Sequence, residues 1–375
     1  MRNQITPRDG SEKFNQPVSG QSLNNASILF KFGENPAPEE RPIIRVTSSE
    51  LKFTDRLGSW KARWNIGRMR YTVEPGLYSL GNPTEKSHVF VSANYKMSFD
   101  RLRSQLKGRD GWILVLDTKG INVWCAAGKG TFGTFEIVNR MRIVGLHDIV
   151  SHRKLILPQL GAPGVSAHEV KRATGFTVIY GPVRAEDLPE FIDNRLKATS
   201  EMRQVNFGFV DRIVLIPTEI VLVGKWALLA ILAFFLLSGL GEGIYSIDRA
   251  LSDGLFNNLI LLYVLFFGVI LTPALLPYLF GRAFWVKGVW LGIFCVIEAG
   301  FFFKTHPDLF PGWLSSIAWI LMGVATTSFL AMNFTGSSTY TSMSGVVKEM
   351  KIALPVQLSA AIAGLCLWVV SRFIH

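Results

Sequence analysis

The sequence predicts an α/β domain, Rossmann-like and doubly wound, followed by an all-α domain of five transmembrane helices. Two observations carry that prediction. From His88 onward, short apolar runs alternate with helix-patterned segments, the rhythm of a mostly parallel sheet covered on both faces. After Pro217 the composition shifts to apolar segments of about 20 residues, each able to cross a hydrocarbon core of about 30 Å. The chain of 375 residues is 49% hydrophobic, and its mean hydropathy of +0.28 is high for a protein without a membrane portion.

Residues 1–45 are rich in Asn, Gln, Ser, Gly and Pro and lack apolar periodicity. They read as a loose arm, with no apolar core of a signal peptide. The α/β domain is expected over 46–216. Its opening stretch to Leu80 interleaves Trp60 and Trp64 with Lys61, Arg63, Arg68 and Arg70. That mixture suits a nucleic acid, a membrane surface, or an extension packed on the domain that follows. Strands are expected at Val89–Val91, Ile113–Leu116, Lys154–Leu157 and Phe176–Tyr180, with Arg212–Ile216 as a further strand. Helices are expected at Ser98–Leu106, Phe135–Val144, Ser166–Ala173 and Leu188–Leu196. Ligands of such sheets bind beyond the carboxyl ends of the strands. Those ends are Ser92-Ala93-Asn94, Asp117 to Gly120, Pro158 to Gly161 and Gly181-Pro182-Val183, all polar or turn-forming.

The transmembrane domain is expected over 217–375, with spans near Glu219–Leu240, Leu255–Phe280, Val286–Phe303, Trp313–Met332 and Pro355–Phe373. Arg282, Lys287, Lys348 and Lys351 gather between spans on one side, which predicts an inner-membrane protein with the α/β domain cytoplasmic and the C-terminus outside. Glu298 falls within the third span, near its outer end, where a carboxylate is either functional or simply reaches water. The polar loop after Asn333 would face the cytoplasm. The formal charge is +11. No nucleic-acid recognition motif accompanies it, so the lipid bilayer is the expected partner and nucleic acid is not.

Cys125, Cys295 and Cys366 are the three cysteines, and no C-x-x-C occurs. A disulfide framework, a zinc site and an iron–sulfur cluster in this chain are therefore not expected. Cys295 and Cys366 sit in apolar runs. Cys125 sits in Asn122-Val123-Trp124-Cys125-Ala126-Ala127-Gly128-Lys129, after a strand-like run and a turn. Asn122 is placed to cap a helix starting at Val123 or Trp124, so Cys125 falls in a first turn, where unpaired N–H groups favour a thiolate. Ala126, Ala127 and Gly128 promise a nearly flat face on which something broad and planar could lie over the sulfur. A lone Cys is otherwise a small buried hydrophobe. Gly128-Lys-Gly130-Thr-Phe-Gly133 spells G-x-G-x-x-G, but its distance from the strand and the lack of a later strand ending in an acid make it a poor dinucleotide fingerprint. His147, His152 and His168 read as surface or structural residues.

At Asn122-Val-Trp-Cys-Ala-Ala-Gly-Lys129 the chain resembles the corrinoid protein family of microbial mercury methylation (HgcA). Its soluble part is similar to the corrinoid domain of the corrinoid iron–sulfur proteins of the acetyl-CoA pathway. Ser92-Ala-Asn-Tyr-Lys96, Leu114 to Gly120, Leu155 to Ala162, Tyr180 to Ala185 and the membrane tail share that likeness. The resemblance implies a cobalamin cofactor whose cobalt is ligated from below by Cys125. Ser92, Asn122, Val123, Trp124, Ala126, Ala127, Gly128 and Lys129 would surround it. Ser92 departs mildly from the family, where Thr is commoner. The implied reaction is methyl transfer from methylcobalt to Hg(II), giving methylmercury. The implied partners are a ferredoxin-like protein with two 4Fe-4S clusters, for re-reduction, and a methyl donor such as methyltetrahydrofolate, acting directly or through a methyltransferase. Two other classes stay open: a corrinoid methyl carrier of one-carbon metabolism, and a five-span transporter with a cytosolic regulatory domain. D-x-H-x-x-G, with its ligating His, is absent.

Overall fold

The computed structural model describes residues 43–335 and 343–374. The chain opens with β1 (Ile44–Thr47), α1 (Phe53–Arg63), β2 (Gly76–Leu80), β3 (Val89–Ala93), α2 (Lys96–Ser104) and β4 (Gly111–Leu116). Then come α3 (Val123–Lys129), α4 (Thr134–Ile143), α5 (Leu146–Ile149), β5 (Lys154–Leu157), α6 (Ala167–Thr174), β6 (Thr177–Tyr180) and α7 (Leu188–Asp193). Among the described residues these strands make one six-stranded sheet, ordered β1-β2-β4-β3-β5-β6.

The β4-β3-β5-β6 portion is parallel, as the alternating pattern predicts. β2 joins it antiparallel to β4, with Gly76 opposite Val115, and β1 adds parallel to β2. This edge pair was not expected, and it makes the sheet mixed. Side chains of β3 alternate, and the two faces bury separate cores. Val89, Val91 and Ala93 pack with Ala126, Phe132, Ile137 and Val170. Phe90 packs on the other face with Phe99, Leu106, Leu188 and Phe191. Helices thus cover both faces, the doubly wound arrangement. The chain reverses its direction of travel across the sheet between β3 and β5, and a crevice opens where it does so.

Helix α1 belongs to the α/β domain, as a packed extension would. Asp55 bonds Lys96 Nζ at 2.7 Å and Arg103 Nη2 at 2.8 Å. Of the loose arm expected over 1–45, residues 1–42 lie outside the described residues; Ile44 and Arg45 already belong to β1.

The further strand expected at Arg212–Ile216 is instead helical. Phe209–Ile213 (α8) leads straight into α9 (Ile216–Leu237), a run of 29 residues, 209–237, too long and apolar to be strand. A short hairpin, β7 (Leu240–Gly241) and β8 (Ile244–Tyr245), precedes α10 (Ile247–Leu265). A π-helical turn carries α10 into α11 (Thr272–Leu275), followed by α12 (Phe284–Thr305), α13 (Trp313–Phe334) and α14 (Met343–Val370). Among the described residues, five helices are long and apolar enough to cross a membrane.

Their packing follows membrane rules, with small residues at the contacts. A Cβ on Gly288 would come within 2.5 Å of the Thr327 carbonyl oxygen, and one on Gly292 within 2.8 Å of Val324 Cα. Gly288 and Gly292 thus form a G-x-x-x-G stripe on α12 against α13. One polar node ties four elements together: Asn257 Oδ1 accepts from Trp319 Nε1 at 3.0 Å and Trp368 Nε1 at 3.2 Å, while its Nδ2 donates to Ser238 Oγ at 3.1 Å.

The two domains meet at a polar seam. Thr218, in the first turn of α9, donates to the Arg63 carbonyl at 2.7 Å and accepts from Arg68 Nη1 at 3.3 Å. Arg184 bonds Asp211 at 2.5 Å. Buried Arg212 donates to the carbonyls of Pro273 at 2.7 Å and Phe207 at 2.8 Å. A cation there complements the last carbonyls of a long helix.

Candidate functional site

The cysteine stretch folds as its residue types require. Asn122 is extended (φ −64°, ψ 161°) and its Oδ1 accepts the Cys125 N–H at 2.9 Å, capping α3. Gly130, at φ 80°, closes the helix with the left-handed turn that glycine adopts without strain. Seven residues leave Cys125 one turn from the cap, on the outer side.

α3 has two faces. Val123, Ala126 and Ala127 are buried, while Trp124, Cys125, Gly128 and Lys129 are exposed. The flat face expected from Ala126, Ala127 and Gly128 is therefore corrected: only Gly128 lies outside. Both alanines pack into the core, and the loop 159–164 presses on Ala127, a Cβ on Gly164 falling 3.0 Å from Ala127 Cα and 2.2 Å from the Phe132 carbonyl oxygen. Around Gly128, by contrast, a Cβ would meet no atom within 4 Å. Gly130 and Gly133 serve the helix end and this same close packing, roles that need no dinucleotide.

Beside α3 lies a cleft of about 310 Å³, at the carboxyl ends of β3, β5 and β6. Ser92, Asn122, Val123 and Trp124 line it, together with Pro158, Pro182 and Arg184. Ser92 is buried at its wall, and its hydroxyl makes a long 3.3 Å bond to the Ala93 carbonyl. Ser92 and the start of α3, far apart in sequence, are thus brought together. Cys125 and Lys129 stand outside the cleft, and Ala126 and Ala127 behind it.

Sequence reasoning missed what holds α3 in place. Buried Asn94, at the end of β3, accepts at Oδ1 from the Thr118 and Gly120 N–H groups at 3.1 and 3.0 Å. The Thr118 hydroxyl lies 2.8 Å from the same oxygen and 2.7 Å from the Ile121 carbonyl, sharing its one proton between them. The loop before the capping Asn122 is thereby locked to the sheet. Lys119 and Gly120 are both left-handed there (φ 58° and 71°). Asn94 ends a strand and looks like a turn residue in sequence; its role is visible only once β3 and β4 are adjacent. Asp117 flanks this loop. Burial pushes its carboxyl up, but hydrogen bonds from Lys119 outweigh that and hold it below its ordinary value.

Of the histidines, His152 bonds the Ser87 carbonyl at 2.8 Å and His147 lies against Arg153, both structural positions away from the cleft.

Fold and cleft define a class: a doubly wound α/β domain with a ligand crevice at its strand ends, carried on a helical domain built to span a membrane. Residues 66–192 match the family of the CO dehydrogenase/acetyl-CoA synthase delta subunit. The chain is 33% identical over 123 residues to the acetyl-CoA decarbonylase/synthase complex subunit gamma of Methanopyrus kandleri, covering 32% of this chain and 26% of that one. The corresponding subunit of Methanothermobacter thermautotrophicus is 28% identical over 206 residues, 52% of this chain and 44% of its own. The corrinoid/iron-sulfur protein large subunit of Moorella thermoacetica is 29% identical over 121 residues, 32% and 27% respectively. The chain spans less than half the length of these relatives. The likeness to the corrinoid proteins seen at Asn122–Lys129 is supported by the match over the surrounding α/β domain.

Proposed function

We propose that this chain is a membrane-anchored, corrinoid-dependent methyltransferase whose acceptor is inorganic Hg(II) and whose product is methylmercury. One observation carries the reading: Cys125 is exposed in the first turn of a capped helix, beside a cleft at the reversal point of the sheet. The residues present fit a corrinoid. A Cβ on Gly128 would meet no atom within 4 Å, so the surface beside the exposed Cys125 is open to a ligand, and the neighbouring cleft, walled by Val123, Trp124, Leu160 and Pro182, can take part of it.

Cys125 would hold the cobalt. Ser92, whose hydroxyl is weakly engaged, would bind within the cleft, with Asn122, Val123 and Trp124 as its wall and Lys129 reaching the rim. Ala126 and Ala127 would act indirectly, by seating α3 against the core. When bound, the corrinoid supplies a cobalt that carries a methyl group and releases it to an acceptor. Cys125 would then be a ligand that tunes the metal, and the methyl group would not pass through its sulfur. Thiolate sulfur donates more electron density than imidazole, which suits an electrophilic acceptor such as Hg(II). Electrons for re-reduction would come from a ferredoxin-like partner with two 4Fe-4S clusters, and the methyl group from methyltetrahydrofolate, directly or through a methyltransferase. The placement of Arg282, Lys287, Lys348 and Lys351 supports an α/β domain in the cytoplasm and a C-terminus outside.

A second reading is favoured by the comparisons: a corrinoid methyl carrier of one-carbon metabolism, in line with the names of the relatives. Anaerobic expression with the ferredoxin-like partner, labelled methyltetrahydrofolate and Hg(II) separates the two. Labelled methylmercury is expected. Label that reaches the protein-bound corrinoid while no methylmercury forms would replace the first reading with the second.

A further inference from the structure

Helix α1 is amphipathic the wrong way round. Successive residues of a helix turn by about 100°, so Phe53, Leu57 and Trp60 share one stripe, Arg56 and Lys61 flank it, and Asp55, Gly58, Ser59 and Ala62 lie opposite. The polar and small side faces the domain: Asp55 is ion-paired with Lys96 and Arg103, Gly58 lies beneath the Tyr71 ring, and Ala62 is buried. The apolar stripe faces out, with Phe53 77%, Leu57 37% and Trp60 55% exposed, and the exposed Ile66 and Met69 extend it beyond the helix. An exposed apolar patch of this kind marks an interaction surface.

Its position selects the occupant. The carboxyl end of α1 is pinned to the first spanning helix, through the Thr218 hydroxyl to the Arg63 carbonyl and through Arg68 to Thr218. Thr218 is the third residue of α9, in the half of the apolar run 209–237 that is nearer the α/β domain. An apolar stripe with a Trp in it and a cation on each edge is the pattern of a helix lying in a membrane interface, where tryptophan settles and cations meet anionic headgroups. We infer that α1 is a membrane-surface helix: Phe53, Leu57 and Trp60 enter the headgroup region, Arg56 and Lys61 meet anionic phospholipid, and the α/β domain is held against the bilayer. The outward apolar face thereby continues the membrane surface of the five helices.

The test uses the full chain with Cys125, Cys295 and Cys366 changed to Ala, reconstituted in vesicles of phosphatidylethanolamine and phosphatidylglycerol. Nitroxides are attached one at a time through Phe53→Cys, Leu57→Cys and Trp60→Cys, with Lys86→Cys, in an exposed loop ahead of β3, as reference. The ratio of collisions with oxygen to collisions with a water-soluble nickel chelate is expected to be several-fold higher at 53, 57 and 60 than at 86. In phosphatidylcholine alone, or with Arg56→Glu and Lys61→Glu, the ratio at 60 should fall towards the reference. A ratio at all three positions equal to that at 86 would overturn the inference. So would shielding from both reagents alike, which would assign the face to a protein cover.

Discussion

The two domains hold themselves together by different means, and the contrast says where the chemistry belongs. In the α/β domain, two apolar cores fix the sheet, and one buried amide, Asn94, ties the loop before α3 to it with bonds of 2.8–3.1 Å. In the helical domain the spans approach through glycines, and a single amide, Asn257, gathers two indoles and a hydroxyl. Each domain thus has one central asparagine, but their loss should not weigh equally. Around Asn94 the orphaned groups are the backbone N–H groups of buried Thr118 and Gly120, in an irregular loop. Within the membrane, the competing state also finds partners, and hydrogen bonds there average well under 2 kcal/mol.

Asn94→Leu should therefore give the largest effect. Stranding the Thr118 and Gly120 N–H groups should cost about 2–4 kcal/mol, read as a lower denaturant midpoint of the α/β domain. Hydrogen exchange should rise at residues 117–122 first. A midpoint unchanged within error would mean that the loop is held by packing alone.

Next comes the ion cluster that seats α1. Burial alone would raise the Asp55 carboxyl, but hydrogen bonds from Lys96 and Arg103 outweigh it and hold it at about 2, against 3.8 for a free carboxyl. A folded value below the unfolded one stabilises fully above about 3.8 and is lost as pH falls towards 2. This difference corresponds to about 2 kcal/mol. Acid titration followed by hydrogen exchange in α1 should show opening across that window, and Asp55→Asn should abolish the pH dependence. Opening centred near neutral pH would contradict the assignment.

The smallest effect is expected in the membrane. Asn257→Leu should cost only about 1 kcal/mol in detergent unfolding. A loss larger than that of Asn94→Leu would reverse the comparison between the two domains.

What could be read from sequence divides along the same line. Strands β3 to β6 and the Asn122 cap are legible because each is a local pattern: a short apolar run between turns, or a cap three residues ahead of the N–H it takes. β1 straddles the start of the Arg- and Trp-rich stretch and β2 lies within it, and β2 joins the rest of the sheet through β4, more than 30 residues on. Arg212–Ile216 looks like a strand because its β-branched residues are judged apart from the long helix they lead into. Ala126 and Ala127 were ambiguous for a different reason. A small residue suits an open face as well as a tight contact, and the contacts here are the core for Ala126 and Gly164 for Ala127. The five spans needed only composition and length. The central Cys125 was legible as a first-turn residue, while the cleft beside it depended on strand order.

The claim that most needs testing is that Cys125 ligates cobalt. The full chain should be loaded anaerobically with methylcobalamin, and its absorption spectrum compared with that of Cys125→Ala, together with methylmercury formation from Hg(II). The substitution removes little volume at an exposed position and alanine suits a helix, so the fold should persist. The expected result is a shifted spectrum and no methylmercury, with Cys125→Ser behaving like alanine. A Cys125→Ala protein with an unchanged spectrum and full methylation would contradict the account and leave Cys125 as a surface residue of α3.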